Sequence, residues 1–207
     1  MAKTTAISRR IFFAGGLLTL WAATADAAEL LEFEFERTGS RYTVRSESYI
    51  DVPPQGVFNV LSDYENFHRI SSLVVESRDL GVGPDGKHLV FTRNSGCLAF
   101  FCRSVSKVER LEAQAPSEIT TTVIPERSDV SYSRSHWLLK REGRGTHLSY
   151  SIETEVNFWV PPMIGDYLLR RWLEKGGKNA LVRIEYDAWH SLYTAPTAER
   201  HRSLEPS

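Results

Sequence analysis

The chain of 207 residues is 42% hydrophobic, and its 25 lysine and arginine residues nearly balance 26 aspartate and glutamate residues. A formal net charge of −1 gives no basic footprint for nucleic acid, so we expect no nucleic-acid partner. The length suits one domain with a sizeable core.

The first 27 residues have the three-part pattern of an export signal. Basic residues at positions 3, 9 and 10 precede an apolar run over 11–23, and Ala25-Asp26-Ala27 has the small residues of a cleavage site. The run is too short for a good membrane span. Because Ser8-Arg9-Arg10-Ile11-Phe12 also resembles a twin-arginine signal, both export routes stay open. We expect cleavage after Ala27 and a periplasmic or secreted protein.

Charged residues over 28–40 predict a lead-in to the domain, which spans 41–193, and polar residues over 194–207 predict a flexible tail. A first strand is expected from Arg41 to about Val52, because polar and apolar residues alternate there. Pro53-Pro54 then begins a short helix, and a second short helix runs from Tyr64 to about Ile70. Further strands are predicted over Leu73–Leu80, Lys87–Asn94, Ala99–Leu111, Glu118–Ile124, Asp129–Arg141 and Thr146–Asn157.

A long helix is predicted from Pro161 to Tyr193. Its apolar stripe consists of Ile164, Leu168, Trp172, Leu181, Ile184, Ala188 and Leu192. Glycine is unfavourable within a helix, so Gly176-Gly177 predicts a bend. Strands followed by one long helix indicate an α+β domain with the helix across one face of the sheet.

The run from Val52 to Phe67, with Val74-Val75-Glu76-Ser77 after it, resembles the START/Bet v 1-like superfamily (SRPBCC), in its polyketide cyclase-like and Coq10-like branches. Trp137-Leu138-Leu139, the Gly145-Thr146 turn and the Pro161-Pro162 helix start match as well. The resemblance covers about 41–193 and implies a helix-grip fold. In that fold a curved antiparallel sheet of about six to seven strands surrounds the C-terminal helix, and two short helices close one end of an apolar cavity.

We expect Leu148, Tyr150 and Ile152 to face the helix, because acidic residues occupy the other face of their strand. Small residues beside aromatic ones on inward faces are a hint of unfilled space, although the same aromatic residues also suit an ordinary packed core. The residues predicted to line the cavity are Tyr64, Phe67, Phe91, Phe101, Arg134, His136, Trp137, Leu139, Leu148, Tyr150, Ile152, Trp159, Leu168, Trp172 and Leu181. For Arg134 and His136 the alternative to lining the cavity is that their side chains face solvent from the strand.

Cys97 and Cys102 are the two cysteines of the chain, and export to an oxidising compartment favours a disulfide between them. Residues five apart on a straight strand point to opposite faces. The bond therefore requires a bulge or a turn, which Gly96 could supply. Two buried free thiols are the alternative.

The sequence predicts no catalytic residue, metal site or cofactor, because it has no histidine pair at ligand spacing, nucleophile elbow or phosphate-binding loop. The first hypothesis is an exported carrier for a hydrophobic small molecule such as a lipid, quinone or polyketide-like compound. The second is a cyclase or dehydratase using Arg134, His136 or Tyr150 as acid or base. The third is an interaction module without catalysis. The apolar run Phe158–Ile164 suggests transient membrane-surface contact, and the sequence makes no prediction of oligomeric state.

Overall fold

The computed structural model describes residues 28–98, 101–158 and 165–193. Within them, eight antiparallel strands form one sheet in the order β1-β2-β8-β7-β6-β5-β4-β3. The strands are β1 (Glu29–Thr38), β2 (Arg41–Ile50), β3 (Val74–Val82), β4 (His88–Leu98), β5 (Phe101–Gln114), β6 (Glu118–Val123), β7 (Val130–Glu142) and β8 (Gly145–Val156), and the helices are α1 (Pro54–Ser62) and α2 (Asp166–Tyr193). The α+β class and the helix-grip arrangement are confirmed, with eight strands rather than six or seven.

Strand β1 corrects the prediction of a lead-in over 28–40. It pairs with β2 at one edge of the sheet, where half-buried Phe33 and Phe35 alternate with exposed glutamates. This is the period of two that a strand requires, although its high charge suggested an irregular segment. A register shift between Leu30 and Glu32 interrupts the alternation near its start.

Helix α2 contacts the backbone of β1 at two points. The backbone N–H of Ala28 donates a hydrogen bond to Glu185 Oε2 at 2.8 Å. Further along, Arg170 Nη2 donates to the carbonyl oxygen of Phe33 at 3.3 Å. These bonds hold the edge strand against the helix that the sheet surrounds.

The two short helices differ from one another. Helix α1 begins at Pro54, whose missing N–H is harmless in the first turn, and it buries Val57, Phe58 and Leu61. The second predicted helix is reduced to a 3-10 turn over Phe67–Arg69.

Strands β4 and β5 form a hairpin in which Cys97 lies directly opposite Cys102, and the two residues are joined by a disulfide with Cα atoms 4.0 Å apart. The bond therefore joins two paired strands rather than two positions of one straight strand, and Gly96 does not supply a bulge for it. This glycine lies within β4, where a Cβ atom would collide with the indole of Trp172.

Helix α2 is described from Asp166, so the predicted start at Pro161-Pro162 lies outside the described residues. It continues as α-helix through Gly176 and Gly177, where the sequence predicted a bend. Its C-terminal half packs on α1 and the sheet. The core there consists of Ile50, Val52, Val57, Phe58, Leu61, Ile70, Ile119, Leu139, Leu148, Leu181, Ile184 and Ala188.

Candidate functional site: a cavity between the sheet and the long helix

A cavity of about 470 Å³ lies between the inner face of the sheet and the part of α2 from Leu169 to Ile184. This volume is within the roughly 300–1,000 Å³ of small-molecule sites. Apolar side chains from the strands and the helix form most of its wall. Among the apolar residues of the wall are Leu30, Val44, Val105, Val130, Val156, Leu169, Leu173 and Ala180.

Glycines of α2 leave much of this space open. Gly176 and Gly177 both border the cavity, and Gly177 has no atom within 4 Å of the position that a Cβ would occupy. At Gly176 that position is 3.2 Å from Leu73 Cδ1. A helix with larger residues at these two positions would fill the space and turn the cavity into core.

Eight residues that the sequence predicted as cavity lining border this cavity. They are Tyr64, Phe67, Trp137, Leu148, Tyr150, Ile152, Trp172 and Leu181. Two ring pairs are stacked among them: the centroids of Trp137 and Tyr150 are 3.9 Å apart, and those of Tyr64 and Phe67 are 4.7 Å apart. The inward orientation of the β8 residues follows from their alternation with acidic positions.

Three other predicted residues lie on the outer face of the sheet, which corrects their assignment. Phe91 lies beneath the guanidinium of Arg78, 4.7 Å from its ring centroid. Arg134 is exposed, and His136 Nε2 is 2.9 Å from Glu118 Oε1. Each of the three is separated by one position along its strand from a residue that faces inward, so an error of one residue reverses the face.

Leu139 and Leu168 also lie away from the cavity. Leu139 is buried in the core near α1. Leu168 is 48% exposed, and its neighbour Leu169 borders the cavity instead. At about 100° per residue, Leu168 is about 160° around the helix from buried Ile184. Trp159 and the side chain of Phe101 lie outside the described residues.

An ion pair is buried in the wall of the cavity. Lys107 Nζ is 3.0 Å from Glu109 Oε1, and the two side chains are only 12% and 3% exposed. Both project inward from β5, because residues two apart on a strand share a face. Burying two charges is costly unless further hydrogen bonds satisfy them.

Hydroxyl groups on neighbouring strands supply those bonds. Thr121 Oγ1 donates to Glu109 Oε1 at 3.0 Å, and Thr92 Oγ1 approaches Glu109 Oε2 at 3.5 Å. Since the proton of Thr121 is directed at the carboxylate, the 2.7 Å contact between Thr121 and Ser135 has Ser135 as donor. Lys107 Nζ is also 3.5 Å from Ser133 Oγ. In the described part of the chain, every buried side-chain nitrogen or oxygen has a hydrogen-bond partner.

Two tyrosines of the cavity wall are electrostatically linked to this ion pair. Burial, followed by the negative charge of Glu109, raises the pKa of Tyr150 well above its usual range. The same two causes, in the same order, raise the pKa of Tyr64. Both phenols therefore keep their protons at neutral pH and can donate hydrogen bonds.

The sequence analysis missed Lys107, Glu109 and the hydroxyl groups around them. A signal was present, because Lys107 and Glu109 alternate in phase with Val105, which faces inward. Charged residues on an otherwise apolar face are normally assigned to solvent, and only the pairing of β5 with its neighbours shows that these two are enclosed.

The described residues contain no group of three or more histidine, cysteine, aspartate or glutamate side chains suited to a metal ion. Neither of their helices has the length and hydropathy needed to cross a membrane.

With this geometry established, comparison with known proteins identifies the family. The family described as polyketide cyclase / dehydrase and lipid transport matches residues 41–187. The chain belongs to this family. No curated protein matches the sequence.

Solved structures of the START superfamily share the fold of this family member. A START superfamily protein from Mycobacterium smegmatis has a TM-score of 0.54 and 18% identity, covering 70% of this chain and 97% of its own. The Zhui aromatase/cyclase from Streptomyces sp. R1128 has a TM-score of 0.56 and 15% identity, covering 75% and 98%. Human STARD10 has a TM-score of 0.56 and 13% identity, covering 84% and 83%. At these identities the likeness concerns the fold alone.

Proposed function

We propose that the protein is an exported carrier that binds a hydrophobic small molecule, such as a lipid, quinone or polyketide-like compound, between the sheet and α2. The observation that carries this proposal is the cavity of about 470 Å³, whose wall is mostly apolar. Affinity would come from burial of apolar surface, at about 25 cal/mol per Å² before the costs of binding.

The family description, which includes lipid transport, supports the carrier function. The glycines of α2 support it as well, since they keep space open that larger residues would fill. Binding without chemistry needs no catalytic set, and the described residues of the wall offer no cluster of the kind that binds a catalytic metal ion.

Export is the second part of the proposal and rests on the signal pattern over residues 1–27. Ala28 would be the first residue after cleavage, and it is already bonded to Glu185. N-terminal sequencing of protein recovered from the periplasm or medium of the native host is expected to start at Ala28. Recovery of the intact N-terminus from the cytoplasm would contradict export without affecting the carrier function.

The carrier function is tested by two measurements on the purified protein. Mass spectrometry of a solvent extract is expected to reveal a retained apolar compound, and a lipophilic dye is expected to bind and to be displaced by that compound. Retention of no apolar compound, together with no binding of the dye, would contradict the proposal.

A matched pair of substitutions on α2 locates the binding site. Ala180 borders the cavity, whereas Val182 is 56% exposed on the outer side of the same helix. Ala180→Trp fills the cavity and is expected to weaken dye binding by at least about tenfold. Val182→Trp adds the same side chain outside and is expected to leave binding unchanged. Equal effects of the two substitutions would place the dye elsewhere.

A cyclase-like enzyme is the second candidate, because Lys107, Glu109 and Tyr150 bring polar atoms to the cavity wall. Of the three residues that the sequence analysis named for acid–base work, only Tyr150 reaches it. If the protein cyclises a poly-β-ketone chain, incubation with a synthetic chain should yield an aromatic product faster than in buffer. Tyr150→Phe should slow that reaction, and an unchanged rate in this variant would remove the basis for the candidate.

A further inference from the structure

The buried ion pair has a feature that bears on the ligand's chemistry: it carries no net charge. The ammonium of Lys107 and the carboxylate of Glu109 are 3.0 Å apart, so any ligand atom near one of them is also near the other. A ligand carboxylate drawn to Lys107 would be repelled by Glu109, and a ligand ammonium would meet the reverse problem. In an apolar wall neither charge would be well solvated, so a charged ligand group would lose its hydration without an adequate replacement.

Once the hydrogen bonds within the ion-pair cluster are counted, the polar groups of the cavity wall have more unused donors than unused acceptors. Glu109 already accepts bonds from Lys107 and Thr121 and has Thr92 beside its second oxygen. Lys107 has three donors. Its acceptors among the described residues are Glu109 and the more distant Ser133.

The phenols of Tyr64 and Tyr150 add further donors on the cavity wall. Nothing in the described part of the chain accepts a hydrogen bond from either phenol oxygen, because Tyr64 and Tyr150 bond there through backbone atoms and stack their rings on Phe67 and Trp137. Neither phenol oxygen is fully enclosed, since every fully enclosed side-chain oxygen of the described residues has a partner. A ligand oxygen that accepts hydrogen bonds would satisfy these groups, whereas an alkane would leave them unpaired.

We propose that Lys107, Glu109, Tyr64 and Tyr150, together called the polar anchor, bind an uncharged oxygen of an otherwise apolar ligand, either a carbonyl or a hydroxyl. This inference rests on the proposed carrier function and narrows the ligand class. Fatty-acid anions and long-chain amines are rejected at the polar anchor, and ketones, quinones and alcohols are accepted.

The contribution of one other charged residue of the cavity wall to ligand binding must be distinguished from that of the polar anchor. Arg103 is exposed and lies four residues before Lys107 on β5, about 13 Å away at the rise of a strand. A carboxylate could be held there with its chain directed inward. The ligand series is therefore measured in the full chain and again in the full chain carrying Arg103→Gln.

The experiment compares ligands with matched chains: dodecane, dodecanol, methyl decyl ketone, dodecanoate and dodecylammonium. Each displaces a lipophilic dye from the Arg103→Gln protein at pH about 8, where the acid and the amine are charged. The ketone and the alcohol are expected to bind at least about tenfold more tightly than dodecanoate, dodecylammonium and dodecane. A carboxylate that binds as tightly as the ketone would overturn the inference.

Glu109→Gln provides the sharper test, because it leaves the shape nearly unchanged and makes the polar anchor positive. The affinity for dodecanoate is expected to rise at least about tenfold relative to the affinity for the ketone. The matched control is Glu112→Gln on the same strand, since Glu112 is exposed and pairs with Lys87. Identical ligand preferences in the two variants would contradict the role of Glu109.

If the Glu109→Gln variant does not fold, Tyr150→Phe provides a second test of the polar anchor. It removes one donor and is expected to reduce the ratio of ketone affinity to dodecane affinity several-fold. Equal binding of dodecane and ketone by the unsubstituted protein would overturn the polar anchor and leave the carrier function intact. If neither the dye nor any ligand bound, the carrier function would fall and the polar anchor with it.

Discussion

The two halves of α2 face different interiors. The last turns of α2, with Ala188, pack on α1 and the sheet in a core of buried side chains, and Ile184 lies at the boundary because it belongs to that core and also borders the cavity. The N-terminal half, with Leu173 and Gly177, faces the cavity. The same sheet and the same helix thus produce a solid end and a hollow end, and the difference lies in side-chain volume at the facing positions. Architecture alone does not create a ligand site in this fold.

The hollow end nevertheless has firm supports. The disulfide joins the β4–β5 hairpin close to Gly96, where the indole of Trp172 packs against the strand backbone. The buried ion pair and its hydroxyl partners join β4, β5, β6 and β7 behind the cavity. Space is preserved because the walls are fixed by bonds that do not depend on filling the interior.

The largest predicted difference between the two ends is the cost of deleting a side chain. Ile119 is fully buried in the solid end, and Ile119→Ala is expected to lower the free energy of unfolding by about 2–5 kcal/mol. Leu173→Ala enlarges an existing cavity and should cost only about 1 kcal/mol. Urea unfolding measures both losses of free energy from the shift in the transition midpoint, provided that the dependence of the free energy on urea concentration is unchanged. Equal losses would mean that the hollow end is as well packed as the core.

Reducing the disulfide is expected to have the next largest effect. The bond closes a short loop, so its removal should cost about 2 kcal/mol. Thermal unfolding with and without reductant measures this as a fall of several degrees. The variant carrying Cys97→Ser and Cys102→Ser should show the lower melting temperature in both conditions. If reductant lowers the melting temperature of that variant as well, the shift does not come from the Cys97–Cys102 disulfide.

Glycine substitutions distinguish open space from tight contact within the hollow end, with smaller effects. Gly177→Ala places a methyl group in open space and improves helix propensity, so it is expected to stabilise the protein by about 0.5–1 kcal/mol. Gly96→Ala should destabilise it, because the new Cβ collides with Trp172. Thermal melts compare the two variants. Stabilisation by Gly96→Ala would show that the indole moves aside freely.

The smallest effect concerns pH, and only above neutrality. Burial and then the charge of Glu109 raise the pKa of Tyr150. The associated stability is therefore fully present below the pKa of an unfolded tyrosine, about 10, and is lost as pH rises from there through the raised pKa. An ultraviolet titration follows the ionisation of the phenols. Tyr150→Phe should remove a late-titrating phenol, and loss of an early one would contradict the assignment.

Much of the fold could be predicted because strong local signals agree with it. The proline-led α1 and the inward face of β8 follow from proline chemistry and from alternation along the strand. Strand β1 was missed because its charge outweighed its alternation. Leu168 and Leu169 are adjacent, so the apolar stripe of α2 could include either one. Only the angle of each residue around the helix relative to Ile184 decides between them.

The candidate site was less predictable than the fold. Aromatic residues such as Trp137 and Tyr150 were found because both faces of their strands could be compared. Lys107 and Glu109 were not, since their enclosure depends on hydroxyl groups from strands distant in sequence. A buried ion pair is a property of pairing across strands, and local periodicity does not record it.

The bonds from α2 to Ala28 and Phe33 have a consequence for self-association. An open sheet ends in strands whose unpaired backbone groups can template the addition of another chain. Here Glu185 holds the N–H of Ala28, just before β1, and Arg170 holds the carbonyl oxygen of Phe33 within it. A second molecule that added a strand at that edge would have to compete with α2 for these two groups, so the helix that borders the cavity also opposes edge-to-edge association.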